Sequence, residues 1–269
     1  MINIMPLLLS DTYKQTHDRM YPADLKQLVS YWVPRKSMLE KTDKMVFFGL
    51  QSFIKEYLID YFDKNFFKKE LNECLKYYQR YMDVQLGAGN YDLQKVIDLH
   101  RNGRLPLTIR AIPEGSVVNM GIPCIEVTAT MPGFSWLVQW VECMLQNNLW
   151  KPCNFATIGM LYKQVAKKWY DKNSSGVNPA MAISDFGMRG MSCLEEATMC
   201  SAAWLLSFNK TSTIPALPYI DMYYNADCVG NNIGIGAVST EHSVICANYA
   251  NDGDEITFLK KMLTEKYPN

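Results

Sequence analysis

The run Ser184-Asp185-Phe186-Gly187-Met188-Arg189-Gly190-Met191-Ser192 holds the densest set of chemically able residues in this sequence. A strand-like stretch leads into it, two glycines and an arginine form the loop, and a helical pattern follows. Ser192 and Glu195 have the S-x-x-E spacing of a capping box, which places a helix start there. A helix start offers unpaired N–H groups and partial positive charge, and Arg189 adds a two-pronged guanidinium. The loop therefore suits phosphate or pyrophosphate. An ordinary strand-to-helix turn with a surface arginine is the plainer reading of the same residues. The D-F-G string does not make a kinase, because no glycine-rich phosphate loop, V-A-I-K or H-R-D accompanies it.

A second run, Ser239-Thr240-Glu241-His242-Ser243, again stands where a strand-like segment meets a helical one. An imidazole beside an anion-binding helix end can donate to a phosphate or accept a phosphoryl group. A lone histidine is more often structural, and His100 in LHRNGR reads as surface. The third run, Asp11 to His17, contains Tyr13, which in isolation reads as packing. Gly230, Gly234 and Gly236 miss the dinucleotide fingerprint, and Gly133-Phe134-Ser135 is no nucleophile elbow.

These residues need elements to hold them. Ser10 or Asp11 can cap a short helical pattern over Thr12 to Met20, and a strand follows over Gln27 to Pro34, ending at Arg35-Lys36. Helical spacing from Phe48 to Met82 predicts two helices broken near Asp63-Asn65, with a further helix ending near His100. Residues 105–130 read as short antiparallel strands, and Ser135 to Trp150 and Ala156 to Lys172 as two helices. From Met181 the pattern is strand, loop, helix, repeated: AISDFG with its helix, then IGIGAVS with its helix. The fold class expected is α/β. Residues 1–150 form a β-rich mixed domain, and residues 151–269 open an α/β barrel that stops after about two βα units of the eight a closed barrel needs. The organisation reads as unfinished, with a sheet edge left open.

Composition narrows the function classes. The 269 residues are 48% hydrophobic and 20% charged, with 27 basic against 27 acidic side chains. The profile is globular, and there is no basic surplus for nucleic acid. No apolar run reaches the ~18 residues of a membrane span, and MINIMPLLLS lacks the charged start of a signal peptide. The eight cysteines show no C-x-x-C or zinc spacing, so a cytoplasmic chain with reduced thiols is expected.

Taken in order, six strings resemble the nicotinamide phosphoribosyltransferase family: Ser10 to His17, Ser30 to Arg35, Phe47 to Gln51, Pro113 to Gly115, Asp185 to Gly190 and Glu241 to Ser243. The resemblance runs along the whole chain but covers only about the first half of the family's length. It implies transfer of phosphoribosyl from phosphoribosyl pyrophosphate to nicotinamide, with Mg²⁺, in a homodimer whose sites lie at the interface. By resemblance, Phe186 stacks on one face of the pyridine ring and Tyr13 of the other subunit covers the opposite face. Arg189 and Arg35 hold pyrophosphate oxygens, and His242 matches a histidine that ATP can phosphorylate.

Two departures bear on the site. Ser212, in Phe208-Asn209-Lys210-Thr211-Ser212, stands where the family's nicotinamide enzymes carry an aspartate. A hydroxyl accepts from an amide without repelling a carboxylate, so nicotinate becomes harder to exclude. Ser37 stands where the family has a lysine near the first arginine, with Lys36 beside Arg35. The family's ribose and 5′-phosphate residues are not found after His242. The expectation is a truncated copy, or one half of a split enzyme completed by a second chain. The alternatives are a nicotinate enzyme and a non-catalytic chain that binds a partner.

Overall fold

The computed structural model describes residues 3–173, 176 and 178–268, in two units, Met1–Ile235 and Gly236–Asn269. In the first unit, β-branched and aromatic residues build five short strands: β1 (Val29–Trp32), β2 (Lys44–Val46), β3 (Leu107–Ala111), β4 (Val117–Asn119) and β5 (Ile125–Ala129). They pair antiparallel, as expected for residues 105–130, in two sheets ordered β1-β5-β3 and β2-β4; the strand at Lys44–Val46 lies where the sequence predicts none. Ile125 faces Trp32 on one side and Ala111 on the other, and Trp32, Ile125 and Val127 are buried in the main core.

Gly49 starts the first helical run at φ 108°, a left-handed conformation that favours glycine. A Cβ there would also press on Leu149 Cδ2 at 3.3 Å. The run begins as α1 (Leu50–Phe53) and continues in π geometry through Ile54–Tyr61 and Asp63–Phe67. The break predicted near Asp63-Asn65 is absent; it falls at Lys68 to Glu70, before α2 (Leu71–Leu86). Packing overrides the polar residues here. Phe62 and Phe66 are fully buried, edge to face at 6.3 Å, and Phe62 meets Trp140 at 5.8 Å. Burying each such ring is worth about 2–3 kcal/mol, more than one local propensity preference.

After α3 (Gln94–Asn102) and α4 (Trp136–Trp140), α5 runs unbroken from Glu142 to Asn173. The two helices predicted at 135–150 and 156–172 are therefore differently divided, and Pro152 lies inside the long one. Pro152 removes one helical hydrogen bond, but Leu149, Pro152, Cys153 and Ala156 are all buried around it. The domain boundary expected at 150/151 falls within this helix, whereas the two units divide after Ile235.

The last part of the first unit carries α6 (Leu194–Trp204), α7 (Ala216–Tyr224) and α8 (Cys228–Asn231). The expected parallel arrangement is present, reduced to single-residue bridges: Asp185 with Thr211, and Lys210 with Ile235. The chain is thus a mixed α/β fold with a short parallel βαβαβ run, whose middle partner at Lys210-Thr211 the sequence reading had passed over. Phe48, Ala156, Ala202, Ala203 and Ile220 form a second apolar core under it. The second unit consists of α9 (His242–Asp252) and α10 (Glu255–Lys261), with Lys261 Nζ on Asp252 Oδ2 at 2.8 Å.

Candidate functional site

The site is organised around Asp185. Its Oδ2 accepts hydrogen bonds from Ser201 Oγ (2.5 Å), Thr213 Oγ1 (2.9 Å) and Thr211 Oγ1 (3.2 Å). Its Oδ1 accepts from the Gly187 N–H at 2.9 Å, and its carbonyl accepts from the Ser212 N–H at 2.8 Å. Paired residues on neighbouring strands share a face, and successive side chains alternate. Asp185 and Thr211 therefore point to the buried side, where their side chains meet. Phe186 and Ser212, one residue on from each, belong to the opposite side, and both are exposed. The Phe186 ring is 69% exposed. Ser212, exposed as well, is joined through its N–H to the carbonyl of Asp185, the residue before Phe186. Lys210 falls on the same side as Ser212.

Arg189 lies in the single turn Met188–Gly190, with its guanidinium carbon 5.1 Å from the Phe186 ring centre. The structure thus sets the Arg189 side chain on the Phe186 ring, and the Ser212 backbone bonds the Asp185 carbonyl. The capping box predicted from Ser192 and Glu195 is displaced by one residue. Cys193 is the N-cap of α6, its Sγ accepting from Glu196 N at 3.4 Å, and Glu196 Oε2 accepts from Ser192 N at 3.1 Å. These two N–H groups serve the cap rather than an anion, and the Arg189 guanidinium before them is exposed. Glu196 also receives Lys151 Nζ from α5, and that bond holds its carboxyl below the usual value of 4.5.

Tyr13 is half exposed in the 3₁₀ turn Thr12–Gln15, 5.1 Å from the ring of His17. Its neighbour Lys14 is buried and paired with Glu142 at the start of α5. Arg35 is exposed, beyond the end of β1. His242 is exposed as the first residue of α9, in the second unit. The strand expected before it reduces to the one bridge at Ile235. Two other strings have a structural task. Glu114 of Pro113 to Gly115 accepts from the Gly49 and Gln51 N–H groups, both at 2.6 Å, and from Tyr224 Oη at 2.9 Å.

Sequence reasoning quoted Asp185 as part of a string without giving it a role. Its signal was the set of hydroxyls at 201, 211 and 213, which are remote in sequence until the fold gathers them. Among the described residues no three His, Cys, Asp or Glu side chains are grouped to hold a metal, and no helix is long and apolar enough to cross a membrane.

Residues 5–109 match the family described as nicotinamide phosphoribosyltransferase, N-terminal domain. A protein of Acinetobacter baylyi named nicotinamide phosphoribosyltransferase is 35% identical over 99% of this chain and 53% of its own length. One of Xanthomonas campestris pv. campestris, of the same name, is 28% identical over 89% of this chain and 48% of its own. The chain spans about half the length of these curated relatives. Among solved structures, human nicotinic acid phosphoribosyltransferase superposes with a TM-score of 0.60 at 16% identity, covering 89% of this chain and 40% of that one. That likeness is one of fold.

Proposed function

Because the chain is related to the nicotinamide phosphoribosyltransferases along their N-terminal half, we propose that it takes part in phosphoribosyl transfer to nicotinamide, a step of NAD salvage. The pyridine nitrogen attacks C1 of phosphoribosyl pyrophosphate, the bond from C1 to the pyrophosphate oxygen breaks, and the products are nicotinamide mononucleotide and pyrophosphate. The observation that carries the reading is the exposed Phe186 ring with the Arg189 guanidinium 5.1 Å from its centre. Phe186 stacks on the base, and Tyr13 of a second copy covers its other face. Such a pair is worth roughly 0.5–1.5 kcal/mol beyond area burial. Arg189 and Arg35 hold the pyrophosphate, so that the leaving charge is met by fixed positive groups.

The reading gives this chain the base and pyrophosphate contacts. The ribose and 5′-phosphate contacts come from a C-terminal half supplied by a partner chain or a longer form, in a cytoplasmic assembly. Mg²⁺ would arrive bound to the pyrophosphate oxygens, since among the described residues no three His, Cys, Asp or Glu side chains are grouped to hold it. Phosphorylation of His242 by ATP belongs to the same proposal. A second reading, transfer to nicotinate, is favoured by Ser212, an exposed hydroxyl where the related nicotinamide enzymes carry an aspartate.

The test is mononucleotide formation from nicotinamide and from nicotinate, with the full chain alone and with a candidate C-terminal partner. Phe186→Ala should raise the Michaelis constant for the base far more than that for phosphoribosyl pyrophosphate. An active assembly indifferent to that change would overturn the stacking role.

A further inference from the structure

We propose that Asp185 is a positioning residue that fixes the Phe186 ring against the Ser212 hydroxyl and so sets which base is preferred; the proposal rests on the base-binding reading above. Its Oδ1 closes a turn around Phe186 by accepting the Gly187 N–H, and its carbonyl holds the Ser212 N–H. Its Oδ2 gathers three hydroxyls, one from α6 and two from the 211–213 segment. A turn needs only the first of these bonds. The others tie the loop, α6 and the neighbouring strand through one carboxylate.

The donors have few other partners available. Thr211 is 3% exposed and Thr213 is fully buried, so neither hydroxyl can turn to water if the carboxylate leaves. Space around the carboxylate is equally tight. A Cβ on Gly187 would come within 3.0 Å of Asp185 Oδ1 and 3.3 Å of Met191 Cε. The three hydroxyls that Asp185 Oδ2 gathers belong to buried residues, while Phe186 and Ser212 are exposed. Loosening it leaves the base contacts in place chemically but lets the ring and the hydroxyl move independently. Stacking then survives in part, and discrimination between an amide and a carboxylate on the ring does not.

The experiment measures nicotinamide and nicotinate binding to the full chain by calorimetry, with thermal melts as the folding control. The variants are Asp185→Ala, Asp185→Asn, Thr213→Val and Phe186→Ala. Asp185→Ala should weaken both bases, by roughly tenfold for the preferred one, and bring the affinity ratio towards one. Thr213→Val keeps the side-chain shape and removes one donor, so it should move the ratio part-way, by roughly two- to threefold. Asp185→Asn keeps an acceptor for Gly187 and should restore most of the affinity.

A purely structural role would lower both affinities together and leave the ratio alone. Phe186→Ala should do just that. An unchanged ratio in both Asp185→Ala and Thr213→Val overturns the proposal; if Asp185→Ala does not fold, Thr213→Val decides. Wild-type chain that binds neither base, or Phe186→Ala that binds as wild type, overturns the base-binding reading itself and the proposal with it.

Discussion

The guanidinium of Arg189 rests over the ring of Phe186, 5.1 Å from its centre. A cation on an exposed aromatic face is worth about 0.5–1 kcal/mol, close to the roughly 0.5–1.5 kcal/mol of a stacked aromatic pair. Base and guanidinium are therefore near-equal competitors for that face. Pyrophosphate, by drawing Arg189 away, should strengthen nicotinamide binding by roughly two- to fivefold. Titrations with and without pyrophosphate and Mg²⁺ check this, and Arg189→Ala should remove the dependence. Binding of nicotinamide that ignores pyrophosphate in wild type would sink the competition.

Tyr13→Ala and Phe186→Ala should each raise the base's Michaelis constant by removing one face of the stack. In an assembly containing two copies, a mixture of the two variants should regain activity, since one site then has both rings. Absence of any recovery would place Tyr13 in its own chain's site or outside it.

Ser212→Asp should shift the ratio of specificity constants towards nicotinamide by at least roughly tenfold, because a carboxylate attracts the amide and repels nicotinate. Lys210→Ala should push the same way by a smaller step. The readout is competition between the two bases; a constant ratio in both variants would move selection to other residues.

Glu114→Ala should lower stability by about 1–2 kcal/mol, since it removes the acceptor of two backbone N–H groups at the start of α1 and of the half-buried Tyr224 hydroxyl. Tyr224 stacks on Phe48 at 4.9 Å, so the loss should spread into that core. Denaturant melts give the number, and a change under half a kcal/mol would contradict the role.

Lys151 holds the Glu196 carboxyl below 4.5, so the unfolded chain binds more protons than the folded one in the acid range just under that value. The pair's contribution is therefore complete above 4.5 and is lost as the pH falls through the folded-state value. Glu196→Gln should cost about 1–3 kcal/mol at pH 7 and flatten the acid limb of the stability curve. Parallel acid limbs for wild type and variant would refute this.

The legible parts of the chain were those where local chemistry and packing agree. Val29–Trp32 and Ile125–Ala129 alternate more and less buried residues and form strands where strands are expected. The Asp63-Asn65 break failed because Phe62 and Phe66, on either side, are fully buried and keep the chain helical. Phe186 and Ser212 are named by resemblance and Arg189 by its loop as well; of these side chains, Arg189 and Phe186 lie in contact. Asp185 escaped because its partners at 201, 211 and 213 become neighbours only once α6 has returned the chain to the bridge. The cap moved from Ser192 to Cys193 because a sulfur acceptor fits no familiar capping pattern.

Near its start α5 grips two different parts of the site: Glu142 takes Lys14, next to Tyr13, and Lys151 takes Glu196, just past the Arg189 loop. The two grips are about 14 Å apart along one rod at 1.5 Å per residue. A slide or roll of that rod moves both at once, as teeth on a common shaft. If Tyr13 serves a neighbouring copy while Arg189 serves its own, the shaft gears two reaction centres together. Occupancy of one would then be felt mechanically by the other, without any contact between their ligands.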